Sequence, residues 1–226
     1  PTGSGKSTTL YSIISQLSTV DKNVITIEDP VEYLIEGLTQ IEVRPDIGLT
    51  FAAGLRAVLR QSPDIVMVGE IRDNETADIA IKASLTGQLV FSTLHTNDAA
   101  GALTRLVDMK VEPFLVASSL IMVCAQRLAR KICPYCKEVI DVPPEALRKL
   151  GVNFNSKTVC YEGRGCDRCR QTGYLGRFGI TEILIMDDSI REMILRGDSS
   201  DDIREHARRT QGMKLLWDEA LESLAV

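Results

Sequence analysis

The sequence predicts an α/β fold with a predominantly parallel sheet, and three observations carry that prediction. The opening segment PTGSGKSTTL holds most of a phosphate-binding loop, G-x-x-x-x-G-K-[ST], with Gly3, Gly5, Lys6 and Ser7 at the required spacing. Three apolar runs, VITI, IVMV and LVFSTL, suit strands covered on both faces. Helical patterns separate those runs, and strand–helix alternation is the signature of a parallel sheet.

The elements follow in order. Residues 7–18 read as a helix, opened by Thr8 and Thr9, with Leu10, Ile13, Ile14 and Leu17 at helical spacing. NVITIEDP is a short β-branched strand ending in acids and proline. FAAGLRAVLRQSP is a second helix closed by Pro63, DIVMVGEIRD a second strand, residues 74–86 a third helix, and QLVFSTLHT a third strand. The charged residues cluster just past the C-terminal ends of the strands, where open α/β sheets bind ligands. From about residue 127 the character changes: RLARKICPYCKEVIDVPPEAL is strand-like, then cysteine-bearing, then turn-rich around Pro143 and Pro144. Five glycines between residues 160 and 180 mark a tightly turning module. DSIREMIL, SSDDIREHARRT and MKLLWDEALESLA return to helix, with Ser199 or Ser200 as N-cap. The expected division is a core over 1–126, a cysteine module over 127–182 and C-terminal helices over 183–226.

Bulk properties narrow the class. The 226 residues are 44% hydrophobic and 25% charged, as in an ordinary globular protein. No apolar run approaches the roughly 18 residues needed to span a bilayer, and no signal-peptide pattern precedes the loop. The net charge of −5 supplies no global basic field for nucleic acid. A phosphate loop beside paired CxxC motifs points to a reducing, cytosolic setting.

The chemistry-bearing residues have physical reasons for their types. Across Thr2, Gly3, Ser4, Gly5, Lys6, Ser7 and Thr8, glycines let backbone N–H groups curl around phosphates, Lys6 reaches the β- and γ-phosphates, and the Ser7 hydroxyl ligates Mg²⁺. Hydrolysis then needs an aligned water and stabilised charge. In IVMVGE, Gly69 stands where a metal-binding aspartate is usual and Glu70 follows, a candidate for holding Mg²⁺ directly or through water; a solvated strand end is the competing reading. In TIEDPVEY, Glu28 is the first candidate for polarising the attacking water, with Asp29 and Glu32 behind it; an acidic turn before proline is the alternative. His95, in STLHT, fits a γ-phosphate sensor or a structural histidine, whereas His206 reads as surface.

Cys133, Cys136, Cys166 and Cys169 form two CxxC knuckles that match a structural zinc site, with disulfide or redox chemistry as the alternative. Cys124 is expected in an apolar helix within the core, and Cys160 is a weak competitor for the metal. Arg127, Arg130, Lys131, Arg164, Arg168 and Arg170 surround the knuckles without an interleaved aromatic series, so nucleic acid is not an expected partner.

Taken together, SGKSTTLY, TIEDPVEY, LRQSPDIVMVGEIRD, STLHTNDA and the CxxC pairs followed by TGYLGRFGITEIL resemble the secretion ATPases, and within them the type II secretion and type IV pilus assembly ATPases. The resemblance runs over essentially the whole chain. It implies a RecA-like phosphate-loop core in a homohexameric, ATP-hydrolysing motor, cytoplasmic and peripheral at the inner membrane, where a platform protein and a cytoplasmic adaptor are its partners. On that reading Glu28, Asp29 and Glu32 belong to the acidic box, with Glu28 as catalytic glutamate; Glu70 belongs to an atypical Walker B and His95 to the His box. The four cysteines match a zinc-binding insert that retraction motors generally lack. ATP, Mg²⁺ and Zn²⁺ are the implied cofactors. Related retraction or DNA-uptake motors, or a non-catalytic zinc module with a vestigial nucleotide fold, are the alternatives. The loop lacks its first glycine here, and the family's preceding region supplies arginines to the site, so this stretch alone is expected to hydrolyse ATP poorly.

Overall fold

Strand β1 (Val24–Glu28) is buried along its whole length, because helices meet it from both sides. In the computed structural model, which describes residues 2–143, 145 and 159–224, β1 lies between β2 (Thr39–Glu42) and β3 (Ile65–Val68). Strand β4 (Leu89–Ser92) continues past β3, so the sheet runs β2-β1-β3-β4 with every pair parallel. Strand geometry alternates side chains, sending Val24, Thr26 and Glu28 to one face and Ile25 and Ile27 to the other. Helix α1 (Lys6–Leu17) lays Tyr11 and Ile14 on the first face, against Val24, Ile65 and Met67. Helix α2 (Phe51–Leu59) covers the second so closely that a Cβ at Gly54 would lie 3.4 Å from Ile27 Cγ2.

The buried runs VITI and IVMV are the two inner strands, as their unbroken apolar character implies. LVFS departs from the expectation of burial on both faces: it is the outer strand of the described sheet, with Leu89 exposed and its neighbours half-buried. Helix α2 is capped by Thr50, which accepts from the Ala53 N–H at 3.2 Å, and ends at Leu59 rather than running to Pro63. Helix α3 (Asn74–Leu85) is capped by Asp73, which accepts from the Thr76 N–H at 2.7 Å.

Helices α4 (Ala100–Asp108) and α5 (Pro113–Ser119) precede the change of character in the chain. Among the later helices, α6 (Asp188–Arg196) packs against α5, and α7 (Ser200–Gln211), capped by Ser199, packs against α4. Their apolar residues Ile190, Met193, Ile194, Ile203 and Ala207 are buried. Residues Pro1–Cys124 and Ile183–Met213 therefore form one compact unit, and Ala125–Glu182 with Lys214–Val226 a second. The C-terminal helices do not stand apart: their apolar faces need α4 and α5 to be covered. His206 is half-buried rather than a free surface residue, its Nε2 lying 2.8 Å from Ser189 Oγ.

The second unit is built on two-stranded pairings, of which β6–β7 is antiparallel. Strand β5 (Met122–Ile132) pairs with β8 (Tyr174–Ile185), and β6 (Lys137–Ile140) with β7 (Cys160–Gly163), while α8 (Leu216–Leu224) follows later in the chain. Cys124 is corrected: it lies in β5 and is exposed, not in a core helix, because the apolar stretch before residue 127 extends a strand that finds a twelve-residue partner in β8. The turn expected around Pro143 and Pro144 lies partly outside the described residues. Among the described residues no helix is long and apolar enough to cross a membrane.

Candidate active site and metal centre

The loop turns through two left-handed glycines, Gly3 at φ +74° and Gly5 at φ +86°, a region that side-chain-bearing residues resist. Gly5 is the N-cap of α1, and the helix starts at Lys6, one residue before its expected start. No side chain caps this first turn and no acid sits in it, so the positive end of the helix dipole favours an anion here. Ser4 is buried, Lys6 half-buried, and Thr2, Gly3, Ser7 and Thr8 are exposed. The exposed face of the loop thus offers backbone donors, an ammonium and a hydroxyl.

Glu28 ends β1 with only 4% of its surface exposed. Three neutral donors hold its carboxylate: the Tyr11 hydroxyl on Oε2, and on Oε1 the Thr26 hydroxyl at 2.5 Å and the Gln40 amide at 3.1 Å. Burial, then the bond to Glu28, raises the Tyr11 phenol well above its ordinary range. Asp29 and Glu32 lie outward of Glu28 and are exposed; the Glu32 N–H donates to Tyr11 Oη at 3.3 Å.

Glu70 leaves β3 beside these groups, its side chain 14% exposed, and lies at the centre of a chain of polar side chains. Its Oε1 is 2.5 Å from His95 Nε2, and its Oε2 accepts from Arg72 Nε at 2.7 Å. Arg72 reaches on to Asp29 Oδ2 at 3.1 Å and stacks over the Phe51 ring at 5.7 Å. The hydrogen bond to Glu70 is the main cause of a raised Arg72 pKa, and Asp29 adds to it. The ends of β1, β3 and β4 are thereby joined through Asp29, Arg72, Glu70 and His95.

Backbone packing explains the glycine before Glu70. The Gly69 N–H donates to the Ile27 carbonyl at 2.7 Å, and the Thr93 hydroxyl donates to the Gly69 carbonyl, also at 2.7 Å. A Cβ at Gly69 would stand 3.2 Å from Ile27 O and 3.4 Å from Glu28 Cα. An aspartate there would press on the end of β1, so the carboxylate is carried one residue later.

Arg72, Tyr11, Gln40 and Thr26 went unnoticed in the sequence. Arg72 sits inside the GEIRD motif, two residues after Glu70, which is its one local signal. Tyr11 and Gln40 meet Glu28 only through the tertiary fold, whereas Thr26 is its i−2 neighbour on the same face of β1.

In the second unit the four cysteine sulfurs lie within 4.8 Å of one another. The separations are 3.9 Å for Cys133–Cys166, 3.9 Å for Cys136–Cys169 and 3.7 Å for Cys166–Cys169. A tetrahedral zinc with Zn–S bonds of about 2.3 Å requires sulfur–sulfur edges of about 3.8 Å. All four are free cysteines in the structure. N–H groups of Gly165, Cys166 and Gly173 point at the sulfurs of Cys136, Cys169 and Cys169, at 3.3, 3.2 and 3.3 Å. Burial raises the Cys169 thiol, but the N–H bonds from Cys166 and Gly173 outweigh it and hold the group at about 6. Burial and the neighbouring thiols push Cys136 up to about 12. Four such thiols ionise together only around a cation. Cys160 stands opposite Ile140 in the β6–β7 pair and is not one of the four.

Aromatic rings lie against two of the basic residues around the knuckles and against Lys137. Arg130 stacks on Tyr174 at 3.9 Å, Lys137 on Tyr161 at 3.8 Å and Arg168 on Tyr135 at 4.0 Å. Arg164 is paired with Glu138.

Residues 1–225 match the family model described as Type II/IV secretion system protein. The type IV pilus assembly ATPase PilB of Thermus thermophilus is 55% identical over 223 residues, covering 98% of this chain and 25% of that protein. Type II secretion system protein E of Pseudomonas aeruginosa is 52% identical over 208 residues, covering 92% of this chain and 41% of that protein. The chain thus spans a quarter to two-fifths of the length of these two relatives. Among solved structures, the Legionella pneumophila ATPase DotB is similar with a TM-score of 0.68 and 26% identity, covering 100% of this chain and 55% of that one. The pilus retraction motor PilT with bound ADP gives a TM-score of 0.67 and 30% identity, covering 97% of this chain and 58% of that one. The chain belongs to the Type II/IV secretion system protein family.

Proposed function

We propose that this chain is the ATP-hydrolysing part of a motor that powers assembly of a type II secretion pseudopilus or a type IV pilus at the inner membrane. The observation that carries this reading is the linkage of Asp29, Arg72, Glu70 and His95 across three strand ends, next to a buried Glu28 that Tyr11 ties to the helix of the phosphate loop. The names of the relatives, a pilus assembly ATPase and a type II secretion protein E, supply the system.

In this reading ATP is the substrate, and the N–H groups of residues 2–8 with Lys6 bind its phosphates. Ser7 and Glu70 would hold Mg²⁺, which supplies charge neutralisation on the β- and γ-phosphates when bound. The donor chemistry fits: an exposed hydroxyl in the first helical turn and a carboxylate at the strand end. Glu70 gives one acceptor position to His95 and one to Arg72, which leaves a lone pair on each oxygen for Mg²⁺ or for a water bound to it. Glu28 aligns the attacking water. A carboxylate offers about four acceptor positions; three are filled by Tyr11, Thr26 and Gln40, leaving one. His95 reports the state of the phosphates to Glu70. Cys133, Cys136, Cys166 and Cys169 would hold Zn²⁺, which fixes the turns of the second unit and leaves no position open for catalysis. A homohexamer, an inner-membrane platform protein and a cytoplasmic adaptor complete the machine. The likeness to PilT favours, as a second reading, a retraction motor on the same core; the cysteine insert speaks for assembly.

The test is complementation of a null strain. Full-length protein restores surface pili or secreted protein, and Lys6→Ala or Glu28→Gln at equal abundance does not. Restoration by both variants refutes the motor reading; shortening of existing pili in place of assembly selects the second.

A further inference from the structure

Tyr11 has an unusual position for a residue of the loop's helix. It is 1% exposed, and its ring meets Tyr33 edge-on at 4.5 Å between centroids. Its hydroxyl faces two parts of the acidic segment at once, donating to Glu28 Oε2 and accepting from the Glu32 N–H at 3.3 Å. A hydroxyl has one proton and two lone pairs, so both bonds are made without conflict. Gln40 mirrors this arrangement from β2. Its amide donates to Glu28 Oε1 at 3.1 Å and to the Tyr33 carbonyl at 3.2 Å, and its own oxygen accepts from the Ile35 N–H at 2.7 Å. The acidic segment is therefore latched on both sides of Glu28, and the α1 side of the latch is one phenol oxygen.

We propose that Tyr11 is a positioning residue for Glu28: its hydroxyl fixes the carboxylate and the Glu32 backbone relative to the helix that carries the phosphate loop. This rests on the reading that Glu28 aligns the attacking water. Phosphoryl transfer is catalysed mainly by positioning, and a carboxylate reoriented about its Cγ–Cδ bond no longer aims at the water. Tyr11 lies between the loop that grips the phosphates and the group that prepares the nucleophile. The connection between the loop's helix and Glu28 is thereby a buried bond rather than one through solvent.

Tyr11→Phe in the full-length protein removes one oxygen and keeps the ring and its packing. The expected result is a fall in kcat of about 10-fold or more, the loss typical of a hydrogen bond to a charged group, with the KM for ATP and the affinity for ADP unchanged. On a Glu28→Gln background the same substitution changes kcat less than 2-fold, because the group it positions is gone. A merely structural tyrosine gives another pattern: lowered thermal stability with kcat preserved, or equal losses on both backgrounds. Either overturns the proposal. A Glu28→Gln variant with undiminished turnover sinks the assignment of Glu28 instead, and is told apart by that single variant. Hydrogen exchange of the unaltered protein gives an independent reading if Tyr11→Phe does not fold. A protected Glu32 amide supports the latch; exchange at the rate of a free loop overturns it.

Discussion

Alanine at Gly173 tests whether the cysteine cluster is a built metal site. Gly173 sits at φ +75°, and an added Cβ would stand 2.3 Å from the Gly163 carbonyl oxygen. Ordinary contact begins at about 3.4 Å, so the two backbones must part by about 1 Å. That movement strains two bonds of the cluster: Cys133 N–H to the Gly173 carbonyl at 2.9 Å, and Gly173 N–H to Cys169 Sγ at 3.3 Å. Gly176 is the matched control, with φ +82° and nothing within 4 Å of an added Cβ. The left-handed backbone alone costs an alanine about 1–2 kcal/mol, and forced overpacking adds about 1–3 kcal/mol. At roughly 2–4 °C per kcal/mol, the overpacking difference means Gly173→Ala should melt about 2–12 °C below Gly176→Ala. Thermal melting by circular dichroism, with zinc counted by mass spectrometry, reads both consequences. Gly176→Ala keeps one zinc per chain, and Gly173→Ala loses a large part of it. Equal melting temperatures and equal zinc would refute the claim that the Gly163–Gly173 approach shapes the cluster.

Other substitutions probe the remaining claims. Cys166→Ser should purify with little zinc and resemble chelator-treated protein in its melting; a full equivalent of zinc in the variant contradicts the four-sulfur assignment. Arg72→Ala removes the cation that joins Asp29 to Glu70 and should lower ATP turnover about 10- to 100-fold, with a change in melting of only a few degrees; undiminished turnover shows the linkage to be incidental. Asp187 caps α6, accepting from the Ile190 N–H at 2.8 Å. Partial burial works against its charge, but bonds from Ser189, Ile190 and Gln211, with His206 nearby, hold it at about 2. Its folded pKa is depressed, so its stabilisation is present above the ordinary carboxylate range near 4 and is lost as pH falls toward 2. Asp187→Ala should therefore cost about 1 kcal/mol at neutral pH and progressively less in melts taken from pH 5 down to pH 2; a pH-independent difference contradicts the charge-based account.

The parts of the molecule legible in the sequence were those whose signal is local. The loop motif places Gly5 and Lys6 at the start of α1, and the unbroken runs of β1 and β3 announce strands covered on both faces. Sulfur spacing in two CxxC pairs was enough to anticipate the cluster. What escaped depends on partners distant in the chain. β2 is four residues, TQIE, exposed at both ends and half-buried between, that become a strand only because β1 offers an edge. Cys124 reads as helix until β8 is known to lie beside β5. Tyr11 is an ordinary apolar-face residue of α1 by periodicity, and nothing within its own helix reveals that its hydroxyl ends on a carboxylate seventeen positions away. The stacking of Arg130 on Tyr174 likewise joins residues that only the β5–β8 pairing brings together.

The central claim is that the phosphate loop and the strand-end acids form one hydrolytic site. Steady-state ATP turnover by the full-length protein, alongside direct measurement of nucleotide binding, tests it. Lys6→Ala is expected to lose both binding and turnover. Glu28→Gln and Glu70→Gln should still bind nucleotide but turn over at least 100-fold more slowly, in keeping with lost transition-state positioning. Turnover near the unaltered rate in the two glutamine variants would contradict the central claim.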